Sequence, residues 1–176
     1  MPEFELKSIY KRGAENGLPF GIVMSVMAIC LFYGAQSPLL MLLSFILLLS
    51  LPGLAYVYLR RCYVQEAGTS SFSSLWMLGI LLFLYGSLIC GVTTYICLQY
   101  LKPGFIYEQA NFALHTYQSM PELKNSEITK MLSMAIQQKM LPTPIQFVFN
   151  MIWVTTFIGS LISIFISGMV RMWKVK

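Results

Sequence analysis

One histidine, seven glutamates and four cysteines are the side chains here best suited to bind a metal, and they can also act as acid, base or nucleophile; aspartate is absent. His115 shares the segment 102–144 with Glu108, Glu122 and Glu127, and a carboxylate beside an imidazole can move protons. On one helix Glu108 and His115 fall two turns apart on similar faces, which leaves them about 10 Å from one another. A lone histidine cannot close a zinc site without partners from another chain. Cys30, Cys90 and Cys97 lie inside apolar runs and Cys62 just past one. With no CxxC pair and no metal-ligand spacing, they read as small packing residues. Neither a glycine-rich phosphate loop nor a nucleophile elbow is present. The expectation is a protein that is not an enzyme, with no catalytic residues, no cofactor and no metal. An enzymatic reading has only Glu108 and His115 to stand on.

The elements around these residues are set by composition. The chain has 176 residues, of which 57% are apolar and 11% charged, where soluble domains carry about 25% charged residues. Lipid is therefore the expected solvent. Twelve Lys and Arg against seven Glu give a formal charge of +5. These basic residues sit at the ends of apolar runs, which orients membrane helices and speaks against a nucleic-acid partner.

Four uncharged stretches, 17–35, 38–59, 75–101 and 145–170, match the roughly 20 apolar residues that a helix needs to cross a bilayer. The lead Met1 to Asn16 mixes Lys7, Lys11 and Arg12 with Glu3, Glu5 and Glu15. It is expected to form a cytoplasmic segment, helical at the interface. A cleavable signal peptide is the rival reading of the first run, given small residues near Ala35 and Ser37. The long polar lead and the immediate second run favour an uncleaved signal-anchor helix. Pro38 suits the first turn of the second crossing, and Pro52 with Gly53 is a candidate kink in it. Arg60 and Arg61 close that helix, with Tyr56, Tyr58 and Tyr63 as interfacial anchors, and Trp76 marks re-entry.

Between Lys102 and Thr143 lies the one long segment outside the crossings. Ile106, Ala110, Ala113, Leu114 and Tyr117 recur at helical spacing, as do Ile128, Met131, Leu132, Ala135, Ile136 and Met140 after a break at Pro121, with the second helix starting near Asn125 or Ser126. Two amphipathic helices are expected, with apolar faces against each other, the mouth of the bundle or the outer leaflet. Counting Lys and Arg on alternate sides gives eight with the termini and four in this segment. The positive-inside rule then puts both termini in the cytoplasm and the amphipathic pair outside.

The crossings hold no Asp, Glu, Lys, Arg or His. That argues against proton-coupled transport, aspartyl intramembrane proteolysis and haem held by two histidines of one chain. Packing features are abundant instead. Gly17, Gly21 and Ser25 recur every four residues, as do Gly159, Ser163 and Ser167, and Ser87 precedes Gly91 by the same step. Small residues at this spacing let helices approach closely, within one bundle or against a partner. Tyr85, Thr93, Thr94 and Asn150 are expected to face protein.

The early glycine-containing helix Gly17 to Ala35, the tight hairpin after it, and the Met- and Gln-rich run Ile128 to Gln138 leading through Met140, Leu141, Pro142, Thr143 and Pro144 into a last helix with a basic tail resemble the four-helix bacterial inner-membrane proteins classed as domain of unknown function 4199. The resemblance implies an inner-membrane location and carries no activity or site residues. It also implies a possible partner, since genes of that family often neighbour a family-2 glycosyltransferase similar to those using polyprenyl phosphate. The chain is therefore expected to be one all-α transmembrane domain over 1–176, a four-helix bundle with an extracytoplasmic amphipathic helical hairpin between helices three and four. The expected function is a non-enzymatic accessory or scaffold subunit that docks a membrane partner. The alternative is an oligomeric carrier or flippase for a lipid or small solute, moving at Pro52 and Gly53.

Overall fold

A computed structural model describes residues 3–34, 37–66, 70–120, 126–138 and 140–172, with side chains described from Ile9 onward. The expectations placed on Ala35, Gln36, Pro121, Glu122, Lys124, Asn125, Lys139, Trp173, Lys174 and Lys176, and on the side chains of Glu3, Glu5 and Lys7, lie outside the described residues. All regular structure among the described residues is helical. It comprises α1 (Glu3–Gly34), α2 (Pro38–Gln65), α3 (Phe72–Ile96), a π-helical turn (Cys97–Leu101), α4 (Phe105–Ser119), α5 (Glu127–Gln137) and α6 (Pro144–Met172). Four helical stretches, Ile9–Gly34, Pro38–Gln65, Phe72–Leu101 and Pro144–Met172, are long and apolar enough to cross a membrane. The protein is a multi-pass membrane protein built of four spanning helices.

Several ends differ from their expected places, each for a local reason. The polar lead is no separate element, because α1 runs unbroken from Glu3 and carries Pro19 inside it. Its Lys11–Glu15 pair, one turn apart at 3.9 Å, supports this end weakly. Helix α2 opens on Pro38 and continues past Arg60 and Arg61 to Gln65. Ser71 caps α3, its Oγ accepting from the Ser74 N–H at 3.1 Å. Ser126 does the same for α5, accepting from the Thr129 N–H at 3.3 Å. At α6, Gln146 Oε1 accepts from the Thr143 N–H at 3.0 Å while Thr143 Oγ1 accepts from the Gln146 N–H at 3.4 Å. This reciprocal capping box satisfies two otherwise orphaned donors and starts the helix at Pro144.

The chain divides into two compact units, Met1–Thr94 with Phe149–Lys176, and Tyr95–Val148. In the first, α1 and α3 run parallel. The row Gly13, Gly17, Gly21 and Ser25 meets Leu81, Tyr85, Ile89 and Thr93, each pair separated by 68 residues as the Ser25–Thr93 bond is. Helix α2 returns against α1, with Gly34 beside Met41 and Asn16 beside Cys62. Helix α6 lies antiparallel to α3, with Ser163 on Gly79, Gly159 on Phe83 and Thr156 near Ser87. Thus α3 is central, and its Leu75, Leu78, Leu82, Cys90 and Thr94 are buried.

In the second unit, α4 and α5 are joined by the Tyr107 hydroxyl, which donates to the Ile136 carbonyl at 2.7 Å. The apolar residues of α5 do not share one buried face. Ile128 and Met131 are 62% and 68% exposed, and Met140 is also exposed, while Thr129 is buried and Leu132, Ala135 and Ile136 are half-buried. Thr129 and Ile136 lie one side of Leu132 on the wheel and Ile128 and Met131 the other, so the side turned inward is rotated away from the expected stripe.

Candidate functional site

The two seams along α3 are the most fully built features of the first unit. A Cβ placed on Gly17 would stand 2.6 Å from Tyr85 Cβ, and one on Gly21 would stand 2.8 Å from Ile89 Cβ. At such distances only glycine lets the backbones approach. Ser25 donates to the Gly21 carbonyl at 2.8 Å and accepts from the Thr93 hydroxyl at 3.1 Å, so it holds its own helix and α3 together. On the other side of α3, a Cβ on Gly79 would meet Ser163 Oγ at 2.5 Å, and one on Gly159 would meet Phe83 Cγ at 2.2 Å. Ser87 donates to the Leu84 carbonyl at 2.9 Å, with Thr156 Oγ1 3.4 Å away. Gly91 is buried on α3. The small-residue rows are therefore spent inside this unit and are not presented to an outside partner.

Ser163 and Ser167 are fully buried, and neither hydroxyl has a hydrogen-bond partner among the described residues. Other serines in the spans bond back to a carbonyl on their own helix, as Ser44 does to Met41 at 2.7 Å. An unsatisfied buried hydroxyl costs about 1–3 kcal/mol. Ser167→Ala is therefore expected to leave stability unchanged or raise it by about 1 kcal/mol, whereas Ser25→Ala, which removes the bond between α1 and α3 and leaves Thr93 only the Ile89 carbonyl at 3.3 Å, lowers it by about 0.5–1 kcal/mol. Unfolding of each variant in mixed micelles checks the sign.

Polar groups gather where α1, the end of α2 and the start of α3 meet. Arg12 Nη1 donates to Glu66 Oε1, and Ser70 Oγ donates to Glu66 Oε2. Asn16 Nδ2 donates to Cys62 Sγ at 3.5 Å. Ile9, Arg12, Cys62, Glu66, Ser70, Ser74, Leu75 and Leu78 line a recess of about 240 Å³ including its open mouth. Arg12 and Glu66 keep 30% and 33% of their side-chain surface exposed. Partial solvent screening limits such a pair to about 1 kcal/mol. Glu66→Gln is expected to cost about that much, and a double-mutant cycle with Arg12→Gln should recover a coupling of about 0.5–1 kcal/mol. A coupling of zero would mean that the two side chains do not act as a pair. The geometry makes this cluster a clasp between α1 and the α2–α3 turn.

The remaining candidates stay apart. Glu108 and His115 are both exposed on α4, and no group of three His, Cys, Asp or Glu side chains able to hold a metal occurs among the described residues. The four cysteines are buried and free. Pro52 and Gly53 are exposed within an unbroken α2, and a Cβ on Gly53 would meet nothing within 4 Å. Two expected orientations are corrected. Tyr63 is buried rather than placed as an interfacial anchor. Asn150 is exposed rather than turned to protein, because α6 packs on α3 through Gly159, Ser163 and Thr156, and Asn150 lies well round the helix from that seam. Trp76, expected only as an interfacial marker, donates its indole N–H to the Ser160 carbonyl of α6 at 3.2 Å.

Sequence reading missed Gly13, Gly79 and Gly86 as contact glycines and Glu66 as the partner of Arg12. Gly13 precedes Gly17 by the same four-residue step and was open to discovery. Glu66 was the one carboxylate in the turn after the second crossing.

Among protein families, the one described as "Protein of unknown function (DUF4199)" matches residues 15–172. No curated protein and no solved structure matches the chain.

Proposed function

The chain belongs to the DUF4199 family, and from that premise we propose that it is a non-enzymatic membrane scaffold that docks a membrane partner through the segment between α3 and α6. The observation that carries this reading is the exposure of large apolar side chains outside the spans. Phe112 on α4 and Ile128, Met131 and Met134 on α5 are all exposed. Flexible, polarizable methionines suit a surface that adapts to another protein. With the small-residue rows engaged on α3, this segment is the docking surface.

Charge placement supports cytoplasmic termini and an extracytoplasmic docking segment, and the family resemblance implies an inner membrane of bacterial type. Reporter fusions at the C-terminus and after Ser119 test that orientation, and a cytoplasmic signal from the second site would reverse it. The resemblance makes a polyprenyl-phosphate-dependent glycosyltransferase the partner to look for.

The full chain, cross-linked in its native membrane and purified in mild detergent, should bring down one membrane protein in near-equal amount. Ile128→Ser with Met131→Ser should abolish that capture without changing the yield of folded protein. Recovery of the chain alone in several detergents would overturn the docking function. Capture of a partner other than a glycosyltransferase would overturn only the identity of the partner.

A further inference from the structure

Helix α2 leaves one side bare to the edge of the bilayer, and that side ends in charge. At about 3.6 residues per turn, Leu49, Gly53 and Arg60 fall on one line with Val57 beside it. All four are exposed, Leu49 by 79%. A Cβ on Gly53 would meet nothing within 4 Å, so the line holds a notch the width of a side chain, two turns from Arg60. Packing of α2 on α1 makes no use of this glycine.

Depth places the charge. Arg60 stands 22 residues after Pro38, which opens the helix, a rise of about 33 Å against a hydrocarbon core of about 30 Å. Its guanidinium and that of Arg61, also exposed, therefore lie among the headgroups. Gly53, about 10 Å back along the helix, lies at the depth of the acyl chains. The same end of this unit carries Lys11, Arg12 and Arg171. Its two described carboxylates are taken, Glu15 by Lys11 at 3.9 Å and Glu66 by Arg12, which leaves three cations in excess among the described side chains.

We propose that Arg60, Arg61 and the notch at Gly53 form a site for one anionic phospholipid, its phosphate held by the two guanidiniums and an acyl chain lying along α2 over Gly53. The occupant follows from charge and depth together. A guanidinium pairs with a phosphate through two parallel N–H bonds. Two neighbouring ones prefer a lipid whose phosphate charge is not cancelled within its own headgroup, as that of phosphatidylcholine is. At this depth lipid is the solvent, so the ligand is at hand without a partner protein. A free phosphate would use the charge and leave the notch empty. The site stands apart from the docking segment and does not depend on it.

The test is native mass spectrometry of the full-length chain in mild detergent, titrated with phosphatidylglycerol or with phosphatidylcholine of the same acyl chains. The wild-type chain should bind a first phosphatidylglycerol well before further ones and show no such step with phosphatidylcholine. Arg60→Gln with Arg61→Gln should raise the dissociation constant of that first lipid about thirty-fold, whereas Arg60→Lys with Arg61→Lys, which keeps the charge, should retain most of the affinity. Gly53→Leu, which fills the notch and leaves the charge alone, should weaken binding about three-fold. Lys11→Gln, which removes a cation from α1 at the same end, should change it by less than about two-fold. Equal binding of the two lipids, a first site indifferent to the paired glutamine changes or to Gly53→Leu, an equal loss in Lys11→Gln, or displacement by soluble glycerol 3-phosphate would each overturn the proposal.

Discussion

Gly159→Val lowers the stability of the bundle by about 3 kcal/mol or more, the largest loss expected from any single change in the chain. The reason is geometric. A Cβ on Gly159 would stand 2.2 Å from Phe83 Cγ and 2.6 Å from Phe83 Cβ, and the second of these atoms is fixed to the α3 backbone. No rotamer of Phe83 can clear it, so α6 must move away from α3. That movement also loosens Ser163 from Gly79 and breaks the Trp76 bond to the Ser160 carbonyl. Unfolding in mixed micelles of rising denaturing-detergent content measures the loss. Phe83→Ala in the same chain should restore part of it, since the ring atoms vanish and only the Cβ contact remains. If Gly159→Val unfolds like the parent, the α3–α6 seam is not where the structure has it. The matching control is Gly53→Ala, which meets nothing within 4 Å. Exposed helical glycine costs up to about 1 kcal/mol relative to alanine, so this change should stabilise. A moving hinge at Pro52 and Gly53 would instead show as lost function in a chain of raised stability.

Phe20→Ala is the second large effect, about 2–3 kcal/mol. Phe20 is fully buried, stands edge-on to Phe83 with ring centroids 5.1 Å apart, and fills the space over Gly86. In a water-soluble core the same change costs about 3–5 kcal/mol, part of which is transfer of the ring from water. Here the spanning helices are surrounded by lipid as apolar as the core, so that part falls away and lost packing remains. A loss of the size seen in soluble proteins would show that Phe20 is wet when the bundle opens. No loss would show that the α1–α3 contact does not depend on the ring. Phe20→Leu should recover about half, because it refills most of the volume but not the edge-on contact.

These two residues mark the limit of what the linear chain discloses. Charge-free stretches of bilayer length fixed the number of spanning helices, since a backbone in hydrocarbon must satisfy its own hydrogen bonds. Four-residue spacing singled out Gly17, Gly21 and Ser25, and Gly159, Ser163 and Ser167, because close helix approach demands small side chains. Helices α4 and α5 followed from their 3.6-residue period, though the buried side of α5 did not. Their apolar residues were placed on one face, and the structure leaves Ile128 and Met131 exposed.

What the sequence by itself determined is that this chain crosses a membrane with four helices, places no Asp, Glu, Lys, Arg or His within the stretches read as crossings, and belongs to the DUF4199 family. What only the tertiary structure decided is which side of each helix meets protein. In α2 and α6 apolar residues run round the whole circumference, so hydropathy cannot distinguish core from lipid. Gly53 and Gly17 look alike in sequence, yet one faces open space and the other touches Tyr85. The Arg12–Glu66 clasp likewise joins residues 54 apart in the chain, and it exists because α1 continues as helix through its polar lead and carries Arg12 to the end of α2. With lipid as solvent, steric fit rather than hydrophobicity chooses the contacts, and fit is a property of helices already brought together.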